Sequence, residues 1–486
     1  MSAADFAHTV LVTLDWVILG YFLIVNTVYA LLLVAAAREM TGHVLQTKWE
    51  SRWRVLQSEV APSISLLAPA YNEEATIAAS VQSMLGLYYP NLEVVVVNDG
   101  SPDRTLDVLI ERFELVPIHP IFQRTVDSKP VRGLYRSARH RGLLVVDKEN
   151  GGKADALNAA LNVAGGDLVC AIDADTLIEP DALTRMVRPF VSRDDMLAAG
   201  GTIRVVNGCR LRAGRVTDVL APHRPVPGFQ VVEYLRAFLF GRLGWNRLGG
   251  NMIISGAFGL FDRGAVLAAG GYVHDTVGED MELVVRLRRR SYDEGGPGRV
   301  DFIPDPVAWT EVPESLRVLG RQRDRWHRGL ADVLRRNKAV LGRKRYGAMG
   351  LFVYPYFLFV ELLAPVVEAI GLAGLVVGLL IGAVDWSFAV LFFLVAYGYG
   401  LCLIAFTLLL EEVSFHRYEH LGDRAVILFW AVLESFGYRQ LTVFWRLRGL
   451  VRFLRKRTDW GVMVRKGFSE PVDPEPAQPG SASPTT

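Results

Sequence analysis

Apolar residues run without a charge from Trp16 to Ala37. They then give way to a segment in which short β-branched runs alternate with helical periodicity, and they return beyond Leu351. The first run is long enough to cross a bilayer, which takes about 20 residues in a helix. Asp5 and Asp15 precede it and Arg38, Lys48, Arg52 and Arg54 follow. The excess of cationic residues after the run places the N-terminus outside and the next segment in the cytosol. A cleaved signal peptide fits less well, because its leader would be basic and its apolar run shorter. Residues 1–40 are therefore predicted to form a transmembrane helix, and residues 41–62 a cytosolic linker.

From residue 63 the pattern changes period. ISLLAPAY, LEVVVVND, LLVVDKEN and DLVCAIDAD are continuous apolar runs, separated by helical stretches from Ala75 to Leu85, after Ser101, and from Lys153 to Val163. Such runs alternating with helices predict βαβ units around a buried, mostly parallel sheet. Ligands on these sheets sit at the C-terminal strand ends, where Tyr71, Asp99 and Asp173 fall. The stretches Val116 to Gly142 and Gly208 to Pro227 are rich in Arg, Pro and Gly and read as surface loops or insertions.

Beyond the predicted α/β segment, residues 63–345, the apolar character returns. Residues 346–383 contain Pro355, Glu361, Pro365 and Glu368 and are predicted to combine an interfacial segment with a kinked span. Its two Glu should face protein or water rather than lipid. Residues 384–412 hold the uncharged run Ser387 to Leu410, a further transmembrane helix. Residues 425–458 begin apolar but carry Glu434, Arg439, Arg446, Arg448 and Arg452. That mixture predicts an amphipathic helix on the inner membrane surface, with a further span as the alternative. The Pro/Ser-rich residues 468–486 are expected to be disordered.

Composition sharpens this division. The 486 residues are enough for more than one domain. A mean hydropathy of +0.24 beside 21% charged residues indicates a charged domain segregated from apolar helices. With 53 Lys and Arg against 51 Asp and Glu, the net charge of +2 argues against nucleic acid as the main partner. Cys170, Cys209 and Cys402 have no metal-ligand spacing and cannot all pair, which fits a reducing compartment.

Five motifs carry candidate chemistry. Asp173-Ala-Asp175 follows a buried run, and two hard carboxylates at i and i+2 suit Mg²⁺ or Mn²⁺ bridging a diphosphate. Asp99 starts a Gly-Ser turn, where it could accept hydrogen bonds from a nucleoside or cap the next helix. Asn150-Gly-Gly-Lys153 lacks the residues of an ATPase phosphate loop, yet its glycines permit close backbone approach and Lys153 supplies a cation. Glu279-Asp280 opens the helical stretch MELVVRLRRR; the pair suits a helix N-terminus, and Asp280 could serve as a general base. Arg323, Arg325 and Arg328 surround Trp326, a set able to bind phosphate and stack on a sugar, or to lie against a membrane surface. His416 and His420 share a helix face but have no third ligand, so zinc is not expected there.

Taken together, these motifs resemble the inverting family 2 membrane glycosyltransferases, the group of cellulose, hyaluronan, chitooligosaccharide and poly-N-acetylglucosamine synthases. The resemblance runs from about Ile64 to Leu330. It implies a GT-A, Rossmann-like α/β domain with flanking transmembrane helices. In that reading Pro69, Tyr71, Glu73 and Asp99 contact the UDP moiety, Lys153 and Asp173 line the donor site, and Asp175 binds Mg²⁺ or Mn²⁺. Asp280 is the base. Gln322, Arg325 and Trp326 match the family's Q-x-x-R-W, which closes over the donor diphosphate and receives the acceptor, while Ser255 and Gly256 form the acceptor-site turn. Gly278 and Asn98 depart from the residues common in the synthases, and the C-terminal apolar region is short beside that of cellulose synthase.

The implied activity is inverting, processive transfer of a sugar, with N-acetylglucosamine the first choice, from a UDP-sugar to a glycan acceptor at the inner membrane. The catalytic domain would be cytosolic, the lipid bilayer a partner, and export proteins further partners. Transfer to a polyprenyl phosphate is the enzymatic alternative, against which the Gln322 to Trp326 clamp argues; an inactive membrane scaffold is the other, against which the full carboxylate set argues.

Overall fold

The computed structural model describes residues 3–47, 61–119, 122–212, 214–382, 384, 386–415 and 417–456. His416, most of the linker and the C-terminal tail lie outside these residues. Helix α1 (Ala3–Thr47) precedes β1 (Ile64–Ala70), α2 (Ile77–Leu85), β2 (Leu92–Asn98), α3 (Thr105–Phe113), β3 (Leu115–Ile118), β4 (Val131–Ser137), β5 (Leu143–Lys148), α4 (Lys153–Val163) and β6 (Leu168–Ile172). There follow β7 (Leu177–Ile178), α5 (Ala182–Met186), α6 (Arg188–Ser192), β8 (Met196–Val205), the hairpin β9 (Arg210–Arg212) and β10 (Arg215–Asp218), α7 (Pro225–Leu235) and α8 (Leu243–Arg247). A π-helical turn, Arg236–Arg242, joins these last two.

The domain ends with β11 (Phe258–Asp262), α9 (Arg263–Ala268), α10 (Glu279–Asp293), β12 (Arg299–Thr310) and α11 (Leu316–Arg336). After it come the short α12 (Tyr354–Tyr356), α13 (Ala364–Leu380), α14 (Trp386–Phe393), α15 (Tyr399–Phe415), α16 (Leu421–Leu433) and α17 (Arg439–Leu454).

Ten strands form one sheet in the order β3-β4-β5-β2-β1-β6-β11-β8-β12-β7. Strands β5, β2, β1 and β6 are parallel, as their apolar runs predict. Beyond them the sheet is mixed, because β11 runs antiparallel to both β6 and β8, and β4 runs antiparallel to β5. The expectation of a mostly parallel sheet is corrected here: β11 follows a loop that returns from α8, so it enters from the opposite end. The stretch from Val116 to Gly142 is also more than loop. It supplies β3 and β4 at one sheet edge, where residues of β4 alternate with exposed positions and so escape an apolar-run criterion.

Among the described residues three helical stretches, His8–Val44, Met349–Leu380 and Trp386–Phe415, are long and apolar enough to cross a membrane. They pack on one another: Ile18 and Phe22 of α1 meet Ala396 between α14 and α15, and Asn26 Nδ2 donates to the Val395 carbonyl at 2.7 Å. The helical stretch through residues 434–438 is broken at Phe436 and Gly437, so α16 and α17 are separate helices.

The first structural dependency lies beneath the strand ends. Lys148, with no exposed surface, places its Nζ 2.6 Å from both Asp99 and Asp155. Asp99 also accepts from the backbone N–H groups of Gly151 at 3.0 Å and Gly152 at 2.7 Å. Removing the shared cation leaves two buried carboxylates facing each other, a loss that typically costs about 3–5 kcal/mol. Lys148→Met should therefore markedly lower the thermal-unfolding midpoint of the detergent-solubilised protein, and a midpoint equal to wild type would show that the triad does not hold this loop.

Candidate active site

Because β2, β1 and β6 are neighbours, the segments that follow them lie side by side. Pro69 sits near the end of β1, Tyr71 just after it and half exposed. The Glu73 carboxylate accepts from Thr76 Oγ1 at 2.6 Å. Asp99 follows β2, and its carboxylate is turned to Lys148 and the Gly151-Gly152 backbone, so it shapes the loop that leads into Lys153. Asp173 and Asp175 follow β6; Thr176 N donates to the Asp173 carbonyl at 3.0 Å, closing a turn that leaves Asp175 buried.

Lys153 is the first residue of α4, and its Nζ reaches back to Asp173 Oδ1 at 2.5 Å and the Gly256 carbonyl at 3.3 Å. Glu279 stands 3.9 Å away. Burial opposes the charge on Lys153, but Asp173 and Glu279 outweigh it and hold the ammonium above its ordinary pKa. Burial pushes the Glu279 carboxyl upward, against the pull of Lys153.

Gly256 links this group to Asp280. Its N–H donates to Asp280 Oδ2 at 3.1 Å, while Asp280 Oδ1 accepts from Met281 N at 2.8 Å. Each carboxylate oxygen has one backbone donor and keeps a further lone pair. Ser255, the other residue of this turn, caps it by accepting from Ala257 N at 3.4 Å.

Helix α10 begins at Glu279, so Asp280 lies in its first turn, where the positive helix end favours an anion. The N-terminus of α10 is docked on α11 by two glycines: a Cβ on Gly278 would lie 3.1 Å from Gly329 Cα, and one on Gly329 3.1 Å from Gly278 Cα. A side chain at either position would crowd this contact.

On α11, Gln322 and Arg325 are partly buried and Trp326 is 42% exposed. Gln322 Oε1 is buried with no hydrogen-bond donor among the described residues. The charge of Arg325 acts on Glu279. Two of the arginines grouped around Trp326 by sequence are committed to protein carboxylates instead of being available to phosphate: Arg323 pairs with Glu233, and Arg328 Nε lies 3.2 Å from Asp324. The Arg323 guanidinium still lies 4.4 Å from the Trp326 ring centroid, and Tyr438 donates to Glu233 at 2.9 Å.

Glu233, Tyr438 and Arg242 were not singled out by sequence. Glu233 is a lone carboxylate in the apolar helix PVPGFQVVEYL, which is the only sign that it must be paired. Arg242 lies over the Phe238 ring at 4.1 Å, with a buried Nη1 that has no acceptor among the described residues. Burial pushes its guanidinium down to about 10, opposed by Asp280 and Tyr234.

Among the described residues no group of three or more His, Cys, Asp and Glu could hold a metal. The carboxylates of Asp173 and Asp175 are hard oxygen donors without imidazole or thiolate, a set that fits a Mg²⁺- or Mn²⁺-type ion completed by phosphate and water.

Carboxylates that follow neighbouring strands, with Lys153 among them and the start of α10 beside them, mark this edge of the sheet as the candidate site. Residues 65–266 match the model "Glycosyl transferase family 2", and residues 168–403 match "Glycosyl transferase family group 2". The chain thus carries family 2 glycosyltransferase domains between residues 65 and 403.

It is 29% identical over 314 residues to the "Probable glycosyltransferase YdaM" of Bacillus subtilis, covering 63% of this chain and 65% of that one. It is 29% identical over 275 residues to the poly-beta-1,6-N-acetyl-D-glucosamine synthase of Staphylococcus aureus, covering 56% of each. The matched region thus spans less than two thirds of these relatives' lengths. Among solved structures, the mannosyltransferase PcManGT of Pyrobaculum calidifontis, in complex with GDP-Man and Mn²⁺, aligns with a TM-score of 0.47 and 20% identity over 84% of this chain and 99% of that one.

Next to Trp326, His327 is buried 3.4 Å from Arg446 Nε. Burial, and then the Arg446 charge, push its pKa from 6.5 down to about 3. The fold therefore favours neutral imidazole, and its contribution is complete above pH 6.5 and lost as pH falls below that value, by about 1.4 kcal/mol per pH unit for one proton. His327→Gln should lose less stability than wild type between pH 6.5 and 5, read from thermal-unfolding midpoints at each pH; parallel pH dependences would refute the assignment.

Proposed function

We propose that this enzyme transfers a sugar from a UDP-sugar to a growing glycan with inversion, repeatedly, from a cytosolic domain attached to the inner membrane. N-acetylglucosamine is the favoured sugar, a reading supported by the likeness to the staphylococcal synthase. The observation that carries the reading is the continuous chain Asp173, Lys153, Gly256, Asp280, because it joins donor-side and acceptor-side groups through direct contacts.

In this reading Pro69, Tyr71, Glu73 and Asp99 define the nucleoside end of the donor site, Asp99 by holding the Gly151-Gly152 backbone. Lys153 and Asp173 flank the diphosphate. Asp175 is the protein ligand of a divalent cation, which when bound supplies Lewis-acid stabilisation of the leaving diphosphate. Gln322, Arg325 and Trp326 close over the donor; the buried Gln322 Oε1 awaits a donor group, and Trp326 offers an apolar face to a sugar ring.

The acceptor enters at Ser255-Gly256. Asp280 takes the acceptor hydroxyl proton as that oxygen attacks the anomeric carbon and the UDP oxygen leaves. A single in-line displacement needs one base and inverts the anomeric centre. The three apolar helical stretches fit a multi-pass membrane enzyme, with the bilayer and export proteins as partners.

Asp280→Asn keeps size but cannot accept the proton, so transfer should fall by about 10²- to 10⁴-fold. UDP-sugar binding should survive, because the donor contacts lie on other residues. Lost donor affinity with normal turnover at saturating donor would make Asp280 a binding residue and overturn the mechanism.

Asp175→Asn should abolish the response of turnover to added Mg²⁺ or Mn²⁺, since it removes a charged ligand from an ion with few protein ligands. An unchanged metal titration would remove Asp175 from the site.

A further inference from the structure

Helix α11 has two working sides. At about 100° per residue, Gln322, Arg325 and Trp326 share one face, and Gly320, Asp324 and Arg328 share the opposite one. That opposite face is covered by α17. Asp324, 1% exposed, accepts from Arg448 Nε at 3.2 Å and Arg452 Nη1 at 3.3 Å, besides its pairing with Arg328. Arg448 Nη2 also donates to the Gly320 carbonyl at 2.8 Å.

The backbones approach closely at the same place. A Cβ on Gly449 would lie 2.6 Å from the Asp324 carbonyl oxygen, and one on Gly320 would lie 2.7 Å from Trp445 Nε1. The head of α17 reaches the clamp by a second route, because Tyr438 holds Glu233, Glu233 holds Arg323, and Arg323 lies against Trp326.

We propose that α17 is a positioning element of the transfer reaction: through Asp324 from behind and through Tyr438, Glu233 and Arg323 from the side, it fixes where Gln322 and Trp326 stand over the donor. The proposal rests on the clamp reading given above. One carboxylate facing three guanidinium groups in a buried contact is poorly suited to adding stability, since desolvation offsets much of the attraction, but it specifies one register between two helices. Nothing in the displacement chemistry requires α17. Its Phe444, Val451 and Leu454 are exposed apolar residues, so the element that sets the clamp is also one whose outer side is not satisfied by the protein.

Gly449→Ala is the direct test, because it adds one methyl at the Asp324 backbone without altering any charge. In the full-length protein it should lower kcat by at least about 10-fold, since small misplacements at a reacting centre carry penalties of up to 10²-fold. Affinity for UDP measured by calorimetry should stay within about two-fold, because Lys153, Asp173 and Asp175 are untouched. Tyr438→Phe, which removes only the hydroxyl that meets Glu233 and Arg323, should show the same kcat-selected loss, and Arg452→Lys should retain more turnover than Arg452→Gln.

Trp326→Ala run in parallel separates the two readings. If it is inactive while folded Gly449→Ala and Tyr438→Phe turn over like wild type, the positioning role of α17 is wrong and the clamp stands. If Trp326→Ala is itself fully active, the clamp reading fails and the positioning role fails with it. Should Gly449→Ala not fold, Tyr438→Phe with wild-type kcat is sufficient to overturn the proposal.

Discussion

Carboxylates that must work together repel one another, and Lys153 is the group that lets them share one edge of the sheet. Its ammonium contacts Asp173 and stands close to Glu279, while Gly256 joins it to Asp280. Two unit charges about 4 Å apart at an effective dielectric of 20 interact by about 4 kcal/mol, so the position of this one cation outweighs most single contacts around it. Lys148 does the same task one layer deeper, for Asp99 and Asp155. The segment Glu149 to Gly152 is thereby strung between two ammonium groups and takes its shape from both.

Much of this edge was legible in the sequence because continuous apolar strands announce themselves and the residues that follow them must lie at the strand ends. Asp99, Asp173 and Asp175 were placed in that way, and Glu279-Asp280 at a helix start by their position before MELVVRLRRR. Strand direction beyond β6 was not legible, since an apolar run such as FGLFD has the same pattern whichever way it enters the sheet. Strands β3 and β4 were missed because an edge strand with Arg and Pro resembles a loop. The partners of buried charges were hidden for another reason. Glu233 and Tyr438 lie 205 residues apart in the chain, and no local spacing connects them.

The departure of Gly278 from the family's usual residue acquires a physical meaning in the same way. Two glycines facing each other bring the first turn of α10 against α11, so the helix that carries Asp280 and the helix that carries Trp326 are separated by little more than backbone. A β-carbon at either position would open that gap and move Asp280 relative to the residues above it. The site is thus assembled from two rigid helices with a contact that tolerates little substitution, which suits chemistry that depends on alignment.

The hydrogen bond from Asn26 to the Val395 carbonyl joins residues 369 positions apart, and this separation sets an order of events during biosynthesis. At about 5–20 residues per second, roughly 20 to 70 seconds pass between the emergence of the first helix and that of its partner. During that interval the α/β domain can complete its sheet, while the Asn26 amide is without its Val395 partner. The first helix is consequently made early and seated late, because its Asn26 amide gains this partner only once the stretch between α14 and α15 has been made.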